Sequence, residues 1–167
     1  PRVLYISTHQ YPFYPGTGAA TDVGTGAGLG FTVNIPIEAG AGDADFEVLY
    51  RRIVVPVLTS FQPELLLLSA GFDAHQLDPL GGMSVSTAGY ADMTTHLKTV
   101  ADACCQGRMV AVTEGGYDLE ALKDCLAGTL RVMSTPSASL AQPVAASPPE
   151  RAQAALQAVK VAQASFW

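Results

Sequence analysis

The chain has 167 residues, of which 49% are hydrophobic and 14% charged, a composition that suits one well-buried domain and excludes a disordered polypeptide. Its net charge of −6, with Lys98, Lys123 and Lys160 as the only lysines, leaves no basic stripe to neutralise phosphates, so direct nucleic-acid binding is not expected. No apolar run approaches the length of a membrane span, and no membrane partner is expected. The three cysteines include the neighbours Cys104 and Cys105, which is no disulfide framework and points to reduced thiols in a cytoplasmic setting. Pro1 and Arg2 lead straight into an apolar run, and that abrupt opening reads as the tail of a longer polypeptide.

In chain order, Val3 to Ser7 reads as a short strand, followed by a long loop from His9 to Gly30. The loop mixes Tyr11, Phe13 and Tyr14 with rigid Pro12 and Pro15, which favours an ordered, functional loop. Its alternating glycines do not form GxGxxG and no Walker lysine follows, so a phosphate cradle is not expected. Phe31 to Ile37 is a second strand. From Asp43 the apolar spacing turns helical, with Phe46, Leu49, Tyr50, Ile53, Val57 and Phe61 on one face. Pro56 should kink that helix, because it has no N–H to offer the carbonyl of Arg52.

Four consecutive leucines, Leu65 to Leu68, have no amphipathic period and predict a strand covered on both faces. A loop carrying Asp73, His75 and Asp78 follows, where ligands bind in open α/β sheets. Tyr90, Met93, Leu97, Val100, Ala101 and Cys104 mark a second amphipathic helix, with Ser86 or Thr87 as its cap. Arg108 to Thr113 is a further strand that ends at Glu114-Gly115-Gly116-Tyr117. Asp118 caps a third helix with Leu122, Leu126, Thr129, Leu130 and Met133 on its buried face. Such alternation builds a parallel sheet with right-handed crossovers, which brings the 70–83 and 114–117 loops to one edge. Residues 134–149 form a Ser/Ala/Pro linker. Ser147-Pro148-Pro149-Glu150 has capping-box form and opens a final helix through residues 150–167, striped by Ala155, Leu156, Val159, Ala162 and Phe166.

By spacing alone, Asp73, His75 and Asp78 could form a compact three-ligand zinc site. The competing reading makes His75 a surface loop residue and both aspartates turn formers. The Glu-Gly-Gly-Tyr turn is equally two-sided: its glycines permit close backbone approach to a ligand, yet they also suit any strand-to-helix turn.

Taken together, Pro15-Gly16-Thr17-Gly18, the stretch from Ser69 to Gly82 (SAGFDAHQLDPLGG) and Glu114-Gly115-Gly116-Tyr117-Asp118-Leu119 resemble zinc-dependent histone deacetylases and bacterial deacetylase-like amidohydrolases. The class II type is the closer match. Residues 1–133 then correspond to the C-terminal part of a deacetylase catalytic domain. The resemblance implies the arginase/deacetylase fold, a three-layer α/β sandwich around a parallel sheet. It also implies hydrolysis of an N-acetyl amide, on acetyl-lysine or an acetylated polyamine.

The resemblance assigns roles to particular residues. Asp78 becomes a Zn2+ ligand and Tyr117 the hydroxyl that polarises the substrate carbonyl. Tyr14 lines one wall of the acyl-lysine channel, which Gly115 and Gly116 border. Ser7 and Thr8 contribute to a monovalent-cation site for K+, and Phe31 to a second one. Asp73 and His75 are then not zinc ligands. The family's tandem histidines and its Asp-x-His ligands have no counterpart here, where the only histidines are His9, His75 and His96. The isolated chain is therefore expected to be inactive, and its completing partner is the N-terminal half of the domain. Without that half, Leu65 to Leu68 is expected to lack part of its cover and to expose apolar surface. The alternative is a non-catalytic binding or assembly module that keeps half of the fold.

Overall fold

The computed structural model describes residues 2–136 and 148–167. Its strands form two separate parallel pairs. β1 (Tyr5–Gln10) lies beside β2 (Thr32–Ile37), with Tyr5 opposite Thr32 and Gln10 opposite Ile37. β3 (Leu66–Ala70) lies beside β4 (Met109–Thr113), with Leu66 opposite Met109. Helical or long looped crossovers return the chain between partners, which is what a parallel ladder requires. β1 begins two residues later than its apolar run suggests and continues to Gln10, because Thr8, His9 and Gln10 find partners in Ile35, Pro36 and Ile37.

The first helical run is three segments: α1 (Asp43–Leu49), a π-helical turn (Tyr50–Val54) and α2 (Val55–Phe61). The expected kink thus takes the form of a widened turn placed ahead of Pro56, with the Val55 N–H reaching back to the Tyr50 carbonyl. A proline cannot donate to Arg52, and the wider turn accommodates the missing bond. The apolar stripe is otherwise as expected, with Phe46, Leu49, Ile53 and Val57 buried.

α3 (Thr87–Cys105) starts at Ser86, whose hydroxyl accepts the Gly89 N–H, and buries Tyr90, Met93, Leu97, Val100 and Ala101. α4 (Leu119–Ser134) starts at Asp118, whose carboxylate accepts the Ala121 N–H. Its buried face differs from the leucine stripe expected from spacing. Ala121, Cys125, Gly128 and Thr129 are buried, whereas Leu130 is 54% exposed. Small residues let α4 approach α3 closely, as at Gly128, where an added Cβ would stand 4.0 Å from that of Ala91. Close packing, rather than the sum of side-chain hydrophobicity, has set the rotation of this helix.

The final helix, α5 (Glu150–Gln163), docks against β2 and α1. It buries Ala152, Ala155, Leu156 and Val159. Its ends are also tied by hydrogen bonds: the Ala152 N–H donates to Asp45 Oδ1 (3.1 Å), Gln163 Nε2 to the Thr32 carbonyl (2.8 Å), and Trp167 Nε1 to the Gly30 carbonyl (2.8 Å). The linker residues 137–147, including Ser147 of the capping box, lie outside the described residues.

Asp45 is buried and also accepts the Gly42 N–H at 3.0 Å, so one carboxylate joins the starts of α1 and α5. Asp45→Ala strands two donors, and the expected loss is about 2–3 kcal/mol of unfolding free energy, read from the urea midpoint at constant slope.

The leucine strand is not covered on both faces. Leu66 is 8% exposed, but Leu67 is 69% and Leu65 49% exposed. Val110 pairs directly with Leu67 and is 47% exposed, and Val112 beyond it is 56% exposed. One face of the β3–β4 pair is therefore open and apolar, a surface of the kind that drives association. Replacing Leu67 and Val110 together by threonine should reduce light scattering at high protein concentration. The melting temperature should change little, because neither side chain is buried.

Candidate functional site

The carboxyl end of β1 is where the site loops are fastened. Gln10 Oε1 accepts the Gly82 N–H at 3.1 Å, which ties β1 to the loop after β3. His9 Nε2 lies 2.9 Å from the Gly18 carbonyl, which ties it to the Pro-Gly-Thr-Gly loop. A carbonyl can only accept, so Nε2 carries the proton. In the neutral ring Nδ1 then accepts from the Ser7 hydroxyl, 2.9 Å away. Gly18 is required here: its φ is +93°, and a Cβ would fall 2.5 Å from His9 Nε2.

Asp78 is buried, and its two carboxylate oxygens face different loops. Oδ1 accepts the N–H groups of Leu80 (2.9 Å) and Gly81 (3.0 Å) in its own turn, while Oδ2 accepts the Tyr117 N–H at 2.7 Å. Burial pushes the carboxyl pKa up, but the donors from Tyr117, Gly81, Leu80 and Asp118 outweigh it and hold the group below the ordinary value of 3.8. Asp78 is thus an ionised carboxylate with fixed orientation. Oδ1 is held by its own turn and Oδ2 by the Tyr117 turn.

Asp73, His75 and Asp78 do not converge. His75 is 3% exposed and occupied, with Nδ1 accepting the Leu77 N–H at 3.2 Å and Nε2 3.2 Å from the Thr87 hydroxyl. Its ring stacks on Tyr90 with centroids 6.4 Å apart. No group of three or more His, Cys, Asp or Glu side chains able to hold a metal occurs among the described residues. The compact three-ligand reading is therefore not realised, and Asp78 fits zinc as one ligand of a larger set.

Gly115 and Gly116 carry the second loop past the first. The Gly115 carbonyl accepts the Phe72 N–H at 2.8 Å, and a Cβ on Gly115 would meet Asp73 Oδ2 at 2.8 Å. Gly116 has φ +137° and packs against Phe72, so a side chain at either position would push the loops apart. Tyr117 meets Asp78 through its backbone, while its side chain is 57% exposed. Tyr14 is 90% exposed. The Phe31 carbonyl accepts the Tyr5 N–H (3.0 Å), and its ring stacks edge-on against Phe61 and Trp167.

Between β1 and β3 lies a cavity of about 260 Å3. Thr8 to Gln10 and Leu68 to Phe72 line its sides, with Tyr14 at one end and Phe46 and Leu97 from the helices below. Asp78 and Tyr117 are not among its walls. Tyr90 also lines it, and its hydroxyl has no hydrogen-bond partner among the described residues. Burial, followed by the charge of Asp73, raises the pKa of that phenol and keeps it neutral. Sequence reasoning passed over His9, Gln10 and Tyr90. The signal for His9 was its position two residues beyond Ser7 on a strand, which puts both side chains on one face.

Comparison with known proteins identifies the family and the fold. The family profile described as "Histone deacetylase domain" matches residues 1–133. The chain is 41% identical to Histone deacetylase 14, chloroplastic, of Arabidopsis thaliana over 80% of its own length and 31% of that protein's. It is 46% identical to a Probable deacetylase of Archaeoglobus fulgidus over 71% of its length and 33% of that protein's. The chain thus spans about a third of these curated relatives. The solved HD domain of HDA15 superposes with a TM-score of 0.86 at 37% identity, over 99% of this chain and 44% of that one. With the profile, the relatives and the solved fold in agreement, the chain belongs to the histone deacetylase family, of whose domain it is a part.

Proposed function

We propose that this chain contributes Asp78 and Tyr117 to a zinc-dependent hydrolytic site that removes acetyl groups from acetyl-lysine or an acetylated polyamine. The observation that carries the reading is the state of Asp78. Backbone donors from two loops hold it ionised, next to the Gly-Gly-Tyr turn. A carboxylate fixed in this way suits a metal vertex, because it needs no reorganisation to bind. Zinc, when bound, supplies Lewis-acid polarisation of the substrate carbonyl.

The chain's own residues do the rest of their part by position. The Tyr117 phenol serves as a donor to the developing oxyanion. Gly115 and Gly116 keep that wall thin enough for a narrow acyl chain, and Tyr14 supplies an aromatic surface opposite. Ser7 supports the K+ part of the reading, since its hydroxyl proton is directed to His9 and its oxygen lone pairs remain for a cation. The three free thiols, Cys104, Cys105 and Cys125, favour a reducing compartment such as the cytoplasm. One aspartate makes no complete zinc site, so the remaining ligands and the base come from the other half of the domain, and the chain alone does not turn over.

The test is to co-express the chain with an N-terminal deacetylase half and assay a fluorogenic acetyl-lysine amide with and without chelator. Turnover that chelator abolishes supports the reading. Chelator-insensitive turnover, or none from a folded complex, supports the non-catalytic binding module instead.

A further inference from the structure

We infer that the cleft between α2 and α5 is a binding site for a small aromatic anion whose ring carries a hydrogen-bond donor at the end opposite the charge. The cleft holds a cavity of about 390 Å3 and shares no lining residue with the cavity between β1 and β3. Ile53 and Val57 form one wall and Val159 the other, and all three are buried. Ile53 belongs to the π-helical turn and Val57 to α2, so the widened turn ahead of Pro56 shapes that wall. Trp167 adds an aromatic surface on which a ring can stack. A cavity of this size with mainly apolar walls suits a compact ligand.

Gln163 supplies the first polar feature. It lines the cavity, is only 5% exposed, and uses half of its amide. Nε2 donates to the Thr32 carbonyl at 2.8 Å, and since a carbonyl can only accept, that bond fixes which end of the amide is which. Oε1 is therefore the atom left over, buried and without a hydrogen-bond partner among the described residues. An unpaired buried acceptor is costly, so a donor brought to it gains more than one offered to water. Charge is the second feature. Arg52 and Lys160 flank the cavity from opposite walls, both exposed, while no described Asp or Glu lines it, although the chain as a whole carries −6. An acceptor inside, apolar walls between and two cations outside are matched by a donor, a ring and an anionic group in that order.

Two of the lining residues also connect the cleft with the sheet. Gln163 is bonded to Thr32, and Trp167 Nε1 donates to the Gly30 carbonyl at 2.8 Å with its ring edge-on to Phe31, centroids 5.5 Å apart. Gly30 to Thr32 lead into the amino end of β2. β1 runs parallel to β2, so this is the end of the sheet opposite the one where His9 and Gln10 fasten the site loops. A ligand seated in the cleft touches α2 and α5 together and thereby favours the docked position of the C-terminal helix, by mass action. None of this depends on the hydrolytic reading of Asp78 and Tyr117.

The test uses 3-(4-hydroxyphenyl)propionate as the probe and the emission of Trp167, the only tryptophan of the chain, as the signal. A saturable change in that emission is expected, together with a melting temperature that rises with probe concentration. 3-(4-Methoxyphenyl)propionate lacks the donor and binds roughly fivefold more weakly. 3-(4-Hydroxyphenyl)propionamide lacks the charge and also loses roughly fivefold, a difference that shrinks at high salt. Lys160→Glu, at an exposed position, leaves the melting temperature of the free chain nearly unchanged and weakens binding of the propionate but not of the propionamide. Nuclear Overhauser contacts from the probe ring to the methyl groups of Val57 and Val159 place it in the cleft. No saturable change overturns the inference, as do contacts to methyl groups elsewhere. Equal affinity of the three compounds overturns it too, because the cleft is then an apolar gap that reads neither the Gln163 oxygen nor the cations. So does a Lys160→Glu chain that binds the propionate as well as the parent does.

Discussion

Replacing Asp78 by alanine lowers the unfolding free energy of the chain by about 3 kcal/mol, the largest single-site effect expected outside the apolar core. The reason is geometric. Leu80, Gly81 and Tyr117 each lose an ionised acceptor, and the loops after β3 and β4 lose a side-chain hydrogen bond that joins them. Asp78→Asn retains the shape but turns an amide donor toward one of those N–H groups, so it recovers only part of the loss. Urea titration of the three proteins side by side measures the order wild type, asparagine, alanine.

The same carboxylate gives a pH dependence of defined sign. Its folded-state pKa lies below the ordinary 3.8, so the unfolded chain binds the proton more readily than the folded chain. Its contribution is complete above the unfolded-state value and is lost as pH falls through the folded one. Wild type and Asp78→Asn should therefore differ by a constant amount at neutral pH, with the difference shrinking only below about pH 4.

Tyr117→Phe has the opposite profile. Its side chain is more than half exposed and its backbone contact to Asp78 is unaffected by loss of the hydroxyl, so stability changes by less than about 0.5 kcal/mol. In the completed domain, turnover of the acetyl-lysine amide should fall by roughly 100- to 1,000-fold with little change in KM, the signature of a donor that acts in the transition state. An equal fall in stability and turnover would make Tyr117 a structural residue.

The strand–helix alternation was legible in the sequence because each element carries its own period or cap. Ser86 and Asp118 cap α3 and α4 as their side-chain chemistry requires. What could not be read locally was set by neighbours. The uniform run Leu65 to Leu68 by itself predicts cover on both faces, and only the resemblance to part of a larger domain predicts the incomplete cover that leaves Leu67 open, since burial depends on which layers are present and not on the run itself. The rotation of α4 likewise followed close contact with α3 through Cys125 and Gly128, where the larger leucines had suggested another face. At the site, motif resemblance singled out Asp78 and Tyr117, but not that they meet through a backbone N–H, nor that His9 and Gln10 fasten the loops. The bonds from Asp78 to Tyr117 and from Gln10 to Gly82 join residues far apart in the chain, beyond any local spacing rule.

The most direct measurement is a crystal structure of the completed domain with zinc and a slowly hydrolysed acetyl-lysine analogue, using anomalous scattering to locate the metal. The account predicts a zinc peak about 2.0–2.2 Å from Asp78 Oδ2, and the Tyr117 hydroxyl within about 3.2 Å of the acetyl carbonyl oxygen. A zinc peak remote from Asp78, or a Tyr117 phenol turned away from the acetyl group, would contradict it.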